Sequence, residues 1–126
     1  MARILCIDDE LEMLQLQKMI LLQSGHEVET AADARSAYDL VFSWQPDVIL
    51  LDLMLPDVDG WSFYQYLRRD DSTPHIPVIV VTARSQATER TIALQVQQVD
   101  DYITKPFAPQ QLSDAVARVL DKKTRS

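Results

Sequence analysis

Four runs of apolar, largely β-branched residues punctuate this chain, and each stops abruptly at a polar or charged group. Ile4-Leu5-Cys6-Ile7 ends at Asp8-Asp9-Glu10, Val48-Ile49-Leu50-Leu51 at Asp52, Ile76-Pro77-Val78-Ile79-Val80-Val81 at Thr82, and Tyr102-Ile103-Thr104 at Lys105-Pro106. Strands buried on both faces of a parallel sheet read as continuous apolar stretches rather than alternating ones. The carboxyl ends of such strands are where open α/β sheets place their sites. The pattern therefore predicts that three carboxylates, a hydroxyl and an ammonium meet at one sheet edge.

Helix-like segments separate these runs, which is the signature of βαβ units around a parallel sheet. Leu11, Leu14, Met19, Leu21 and Leu22 lie in a Pro-free segment stopped by Ser24-Gly25; that is a helix with a glycine end. Residues 26–31 alternate weakly and read as a short strand nearer an edge. A helix follows from Asp33, a side chain suited to the N-cap, to about Trp44, where Gln45-Pro46 breaks it. After Asp52 comes a turn-rich loop in which Asp57 and Asp59 read as turn residues and Gly60 serves the backbone. A helix bearing Trp61, Phe63, Tyr64 and Leu67 then runs to Ser72-Thr73-Pro74. The segment from about Ser85 to Gln97 is a weakly apolar helix, and Leu112, Val116, Val119 and Leu120 recur at helical spacing in the last one. Lys122, Lys123 and Arg125 near its end complement the helix dipole.

At 126 residues and 47% hydrophobic content, the chain is one domain, residues 1–126, with enough core to fold without staples. The single Cys6 sits inside an apolar strand, an inert thiol fitting a reducing compartment. No stretch approaches the roughly 20 apolar residues that span a bilayer, so no membrane partner and a cytoplasmic location are expected. A net charge of −7 disfavours direct grip on nucleic acid, which needs clustered Lys and Arg; any DNA contact would require another domain.

Asp8 and Asp9 beside Asp52 put like charges together, an arrangement that needs protons or a divalent cation to neutralise it. Hard carboxylate oxygens with few other ligands suit Mg²⁺, which favours phosphate oxygens as partners. Lys105 and the Thr82 hydroxyl supply donors for a phosphoryl group, the parts required for transfer by positioning and electrostatics. Asp52, the single acid at the end of the central strand, is assigned as phosphoacceptor. Asp9 and Asp52 are expected to ligate the metal directly and Asp8 through water, with the backbone carbonyl of Met54 completing the set and Glu10 a lesser candidate.

Taken together, Asp8-Asp9-Glu10, Asp52 followed by Leu-Met-Leu-Pro and Asp59-Gly60, Thr82-Ala83, and residues 100–107 (Asp-Asp-Tyr-Ile-Thr-Lys-Pro-Phe) make the chain resemble the response regulator receiver domains of two-component signal transduction, chemotaxis-regulator-like, over nearly its whole length. The resemblance implies a flavodoxin-like (βα)5 doubly wound sheet of order 2-1-3-4-5. It implies a phosphoryl group taken by Asp52 from a histidine kinase or histidine phosphotransfer protein, a Mg²⁺ requirement, and a cis Lys105-Pro106 bond. It further implies a switch in which Thr82 turns toward the phosphoryl group and Tyr102 swings inward. An output domain or downstream protein would read this on the face of the fourth helix, fifth strand and fifth helix. Such a domain is a monomer or a weak phosphorylation-dependent dimer, and it is not an enzyme with an external substrate.

The chain departs from the family pattern at Gln98-Val99, where Gly-Ala is usual. If position 98 is left-handed, a non-glycine there costs on the order of 1 kcal/mol. Thr91, Gln111 and Ala115 replace charges that would pair across the output face in a winged-helix regulator's dimer, which disfavours that dimer; Arg118 and Asp101 remain to pair. Met54 and Arg84 flank the path of hydrolytic water in the family, so slow loss of the phosphoryl group is expected. A phosphatase of the haloacid dehalogenase type would need an acid two residues after Asp52, where Met54 stands. A flavin module would need a Gly-, Ser- or Thr-rich loop where the Asp8-Asp9-Glu10 cluster lies.

Overall fold

The computed structural model describes residues 2–73 and 75–125, the last two by their backbone. Met1, Pro74, the side chain of Arg125, and Ser126 lie outside the described residues, so the reading of Pro74 as a breaker and of Arg125 as a dipole partner is not addressed. The order is β1 (Arg3–Ile7), α1 (Leu11–Gln23), β2 (Glu27–Ala31), α2 (Ala34–Trp44), β3 (Val48–Leu51), α3 (Gly60–Arg69), β4 (Val78–Thr82), α4 (Ala87–Thr91), β5 (Asp101–Thr104) and α5 (Pro109–Arg125). The strands form one parallel sheet in the order β2-β1-β3-β4-β5. The parallel sheet is the one the alternating runs predict, and its doubly wound order is the one the resemblance implied.

Side chains alternate across each strand with period two, and here both faces are covered. Leu5, Ile7, Ile49, Leu51, Val78 and Val80 pack with Ala37 and Val41 of α2 and Phe63 and Leu67 of α3. Ile4, Cys6, Val48, Leu50, Ile79 and Val81 pack with Leu14 and Leu21 of α1 and Leu112 and Val116 of α5. Removal of this apolar area from water, worth roughly 25 cal/mol per Å², is what holds the layers together. Register then places the chemistry: Ile7 pairs with Leu51, so Asp8 and Asp52 emerge side by side, one residue past the apolar floor.

Local signals set the helix ends. The Asp33 carboxylate accepts from the Ser36 amide at 2.7 Å as the N-cap of α2, and α1 closes at Gly25 with φ 89°. Gly60 is required by close approach: a Cβ there would stand 2.5 Å from the Cα of Leu53 and 2.9 Å from the Asp52 carbonyl oxygen. The fourth helix differs from expectation. It begins at Ala87, not Ser85, and from Ile92 to Val96 it winds as a π-helix, a widening often found at functional segments.

Gln98 follows with φ 60°, so the left-handed condition raised for that position is met. Neighbouring contacts hold the strained turn. The Tyr64 hydroxyl donates to the Gln97 carbonyl at 2.6 Å, and Val99 N–H donates to the Ala93 carbonyl at 3.1 Å. Phe63 and Tyr64 are core residues while Tyr66 is exposed and stands against Tyr38 at 4.7 Å.

Candidate functional site

The ends of β1, β3 and β5 converge on one ammonium. Lys105 Nζ lies 2.6 Å from Asp8 Oδ2, 2.9 Å from Asp52 Oδ2 and 3.1 Å from Glu10 Oε1. Asp8 and Asp52 are buried and Glu10 is exposed. Both carboxylates are also oriented by the backbone, since Glu10 N–H donates to Asp8 Oδ1 at 3.0 Å and Met54 N–H to Asp52 Oδ1 at 3.1 Å. The peptide bond following Lys105 is cis, as the resemblance implied. Thr82 is buried at the end of β4, its hydroxyl accepting from the Arg84 amide at 3.4 Å, and its carbonyl accepts from Lys105 N–H at 2.8 Å.

Charge does not balance here. Burial pulls the Lys105 ammonium toward deprotonation, yet hydrogen bonds and charges from Asp8 and Asp52 outweigh it and hold its pKa above the ordinary lysine range. Burial pushes the Asp8 carboxyl above the usual 3.8, aided by the Asp52 charge and opposed by Lys105 and the Glu10 amide. One cation thus serves three acids. One oxygen from each of Asp8, Glu10 and Asp52 falls within 4.8 Å of the others, an all-oxygen donor set that fits a hard divalent cation.

The positions singled out in the sequence divide into two groups. Asp8, Asp52, Thr82 and Lys105 are brought to one edge as their strand ends predict. Asp9 is exposed and outside the three-acid cluster; it borders an open groove of about 560 Å³ with Leu53, Met54, Pro56, Val58 and Arg84. Met54 offers its main chain to Asp52 while its side chain is half exposed. Tyr102 is buried, turned inward, with its hydroxyl donating to the Arg84 carbonyl at 2.7 Å, and Arg90 binds the Tyr102 carbonyl at 2.6 Å.

On the adjoining face, Arg118 pairs with Asp101 at 3.2 Å. Ala115, however, is fully buried and is not a surface position at all. Sequence reasoning ranked Glu10 low and took Asp57 for a turn residue. Asp57 in fact accepts from the Ala34 amide at 3.0 Å and the Arg35 amide at 3.1 Å, contacts that bridge 23 and 22 positions and leave no local pattern.

Residues 4–117 match the family model of the response regulator receiver domain. The chain belongs to that family. This receiver domain is 39% identical over 125 residues to the DNA-binding dual master transcriptional regulator RpaA of Synechocystis sp., covering 99% of this chain and 52% of that protein. It is 40% identical over 118 residues to the phosphate regulon transcriptional regulatory protein PhoB of Escherichia coli, covering 94% and 51%. The chain therefore spans about half the length of these curated relatives. Among solved structures, the receiver domain of Francisella response regulator 1452 superposes with a TM-score of 0.87 at 31% identity, covering 98% of this chain and 99% of that one. Chemotaxis response regulator CheY4 of Vibrio cholerae gives 0.86 at 28%, covering 94% and 98%.

As a receiver the domain is a signalling module of a two-component response regulator, and its acidic pocket fits a phosphoacceptor site. The expectation of no direct nucleic-acid partner rested on the charge of this acidic domain and finds no support among the relatives, one of which is itself named as DNA-binding. Among the described residues, no helix is long and apolar enough to cross a membrane.

Proposed function

We propose that this receiver accepts a phosphoryl group on Asp52 from the phosphohistidine of a histidine kinase or a histidine phosphotransfer protein, and passes the signal through the face formed by α4, β5 and α5. The observation that carries the reading is Lys105 Nζ bridging Asp8 and Asp52 at 2.6 and 2.9 Å at the carboxyl edge of the sheet. An Asp52 oxygen attacks phosphorus, the P–N bond breaks, and the imidazole keeps the electron pair. Lys105 is placed to follow the new phosphoryl oxygens, and the Thr82 hydroxyl is placed to donate to another. Asp8 and Asp52, with Glu10 or Asp9 and the Met54 carbonyl, would hold Mg²⁺, which when bound neutralises charge on the transferring oxygens.

Output is a population shift, since a dianion beside Thr82 and Lys105 stabilises whichever arrangement of their neighbours accommodates it best. Tyr102 and Arg90 join that edge to α4, and Arg118–Asp101 joins β5 to α5. The relatives named as transcriptional regulators support an output domain as the reader. Incubation with Mg²⁺ and acetyl phosphate, followed by intact mass, tests the chemistry. A hydroxylamine-labile adduct is expected on the native chain, absent in Asp52→Asn and abolished by chelator; an adduct that survives Asp52→Asn removes that residue from its role.

A further inference from the structure

The loop between β3 and α3 closes on itself at its neck. Gly60 N–H donates to the Leu53 carbonyl at 2.9 Å, and Met54 and Asp59 form an isolated antiparallel bridge. Beyond the neck, Asp57 reaches across to α2. Its Oδ1 accepts from Ala34 N–H at 3.0 Å and from Val58 N–H at 3.0 Å, and its Oδ2 accepts from Arg35 N–H at 3.1 Å. With Asp33 taking the Ser36 amide, two acids share the exposed donors of one helix end. The favourable interaction of a carboxylate with a helix N-terminus adds to these bonds. The amides also hold the Asp57 carboxyl below the usual carboxylate range, the Ala34 amide most of all.

Among the hydrogen bonds of the described residues, those of Asp57 tie that helix end to the loop carrying Met54. Asp33 belongs to the segment leading into α2, so its bond strengthens the helix without touching the loop. The two acids thus have similar reach and different mechanical consequences. We infer that Asp57 is a positioning residue for the phosphoacceptor site: its grip on the first turn of α2 sets the height of residues 53–59, and with it the Met54 main chain that hydrogen-bonds Asp52. This rests on the reading of Asp52 and Met54 given above, and it assigns to α2 a part in shaping the site.

The test compares Asp57→Ala, Asp57→Asn and Asp33→Ala in the full chain, using Mg²⁺ titration followed through the backbone amide resonances of Asp8, Asp52 and Met54. Thermal melts accompany each. If Asp57 positions the loop, Asp57→Ala raises the Mg²⁺ dissociation constant on the order of tenfold, as loss of an outer-shell support does, and shifts the Met54 amide before any metal is added. Asp57→Asn, which keeps one acceptor oxygen, is intermediate. Asp33→Ala lowers the melting temperature comparably yet changes Mg²⁺ affinity less than about twofold, because it leaves those outer-shell supports in place. Equal Mg²⁺ affinities in the Asp33 and Asp57 variants would overturn the inference, leaving Asp57 a helix cap. Should Asp57→Ala not fold, Asp57→Asn against Asp33→Ala decides the matter alone. A native chain whose Asp8, Asp52 and Met54 amides show no saturable response to Mg²⁺ would instead sink the site reading itself.

Discussion

Replacing Asp8 by Asn is expected to stabilise the metal-free domain, even though it breaks the shortest ion pair of Lys105. At an effective dielectric of about 20, an ammonium 2.6 Å away attracts Asp8 by about 6 kcal/mol, and a carboxylate oxygen within 4.8 Å repels it by at least about 3.5 kcal/mol. Asp52 exerts that repulsion from inside the fold, whereas solvent screens much of the share from exposed Glu10. The attraction left is on the order of 1 kcal/mol, less than the several kcal/mol that desolvating a carboxylate costs. Asn keeps an acceptor for the Glu10 amide at no charge. The net gain should be about 1–3 kcal/mol, raising the melting temperature in EDTA by about 4 °C for each kcal/mol in a domain of this size.

Mg²⁺ should narrow that lead. At ten times its dissociation constant the ion adds about 1.4 kcal/mol to the native chain and far less to the variant. pH supplies an independent arm. Because the folded-state pKa of Asp8 stands above its ordinary value, the ionised form opposes folding; the penalty is full above that raised value and fades as pH falls through it. In EDTA the advantage of Asp8→Asn should therefore shrink on acidification. Melting curves in EDTA showing the variant no more stable than the native chain at pH 7, or equal gains from Mg²⁺ in both, would refute the electrostatic account.

Other outcomes follow from single features. Gln98→Gly should stabilise by about 0.5–1 kcal/mol in urea unfolding, because an exposed residue at φ 60° carries a Cβ penalty that exceeds the added chain entropy of glycine; a loss of stability would show that the Gln98 side chain contributes more than its backbone costs. Gln17→Leu should gain about 1 kcal/mol, since Gln17 is buried with its Oε1 lacking any partner. Met54 and Arg84 line the groove beside the site, so loss of label from purified phosphoprotein at neutral pH should be slow, and complete loss within minutes would contradict that shielding.

Strand ends were legible because burial writes directly into composition. A strand covered on both faces must be apolar throughout, so the first polar residue marks its end, which located Asp8, Asp52 and Thr82; the edge strand β5 carries polar Asp101 and Thr104 within it, and Lys105 was placed by the end of its short run together with the resemblance. Strand order was not legible this way, since nothing in Val48–Leu51 says which neighbours it takes; it came from the resemblance. The partition of roles within Asp8-Asp9-Glu10 depends on which of three adjacent side chains turns toward Lys105, and adjacent residues share every composition signal. The structure turns Asp8 and Glu10 to the ammonium and leaves Asp9 at the groove. The π-winding after Thr91 was equally hidden, because a widened turn differs from an α-turn by one hydrogen-bond step and leaves the polar sequence of that helix unchanged. Gln98 lies at the other extreme: a single non-glycine where the family pattern carries glycine raised the question of strain, and its φ of 60° answers it. Agreement with the burial rule thus located the site, while the departure at Gln98 marked strain beside it, of the kind expected where function is maintained at the expense of stability.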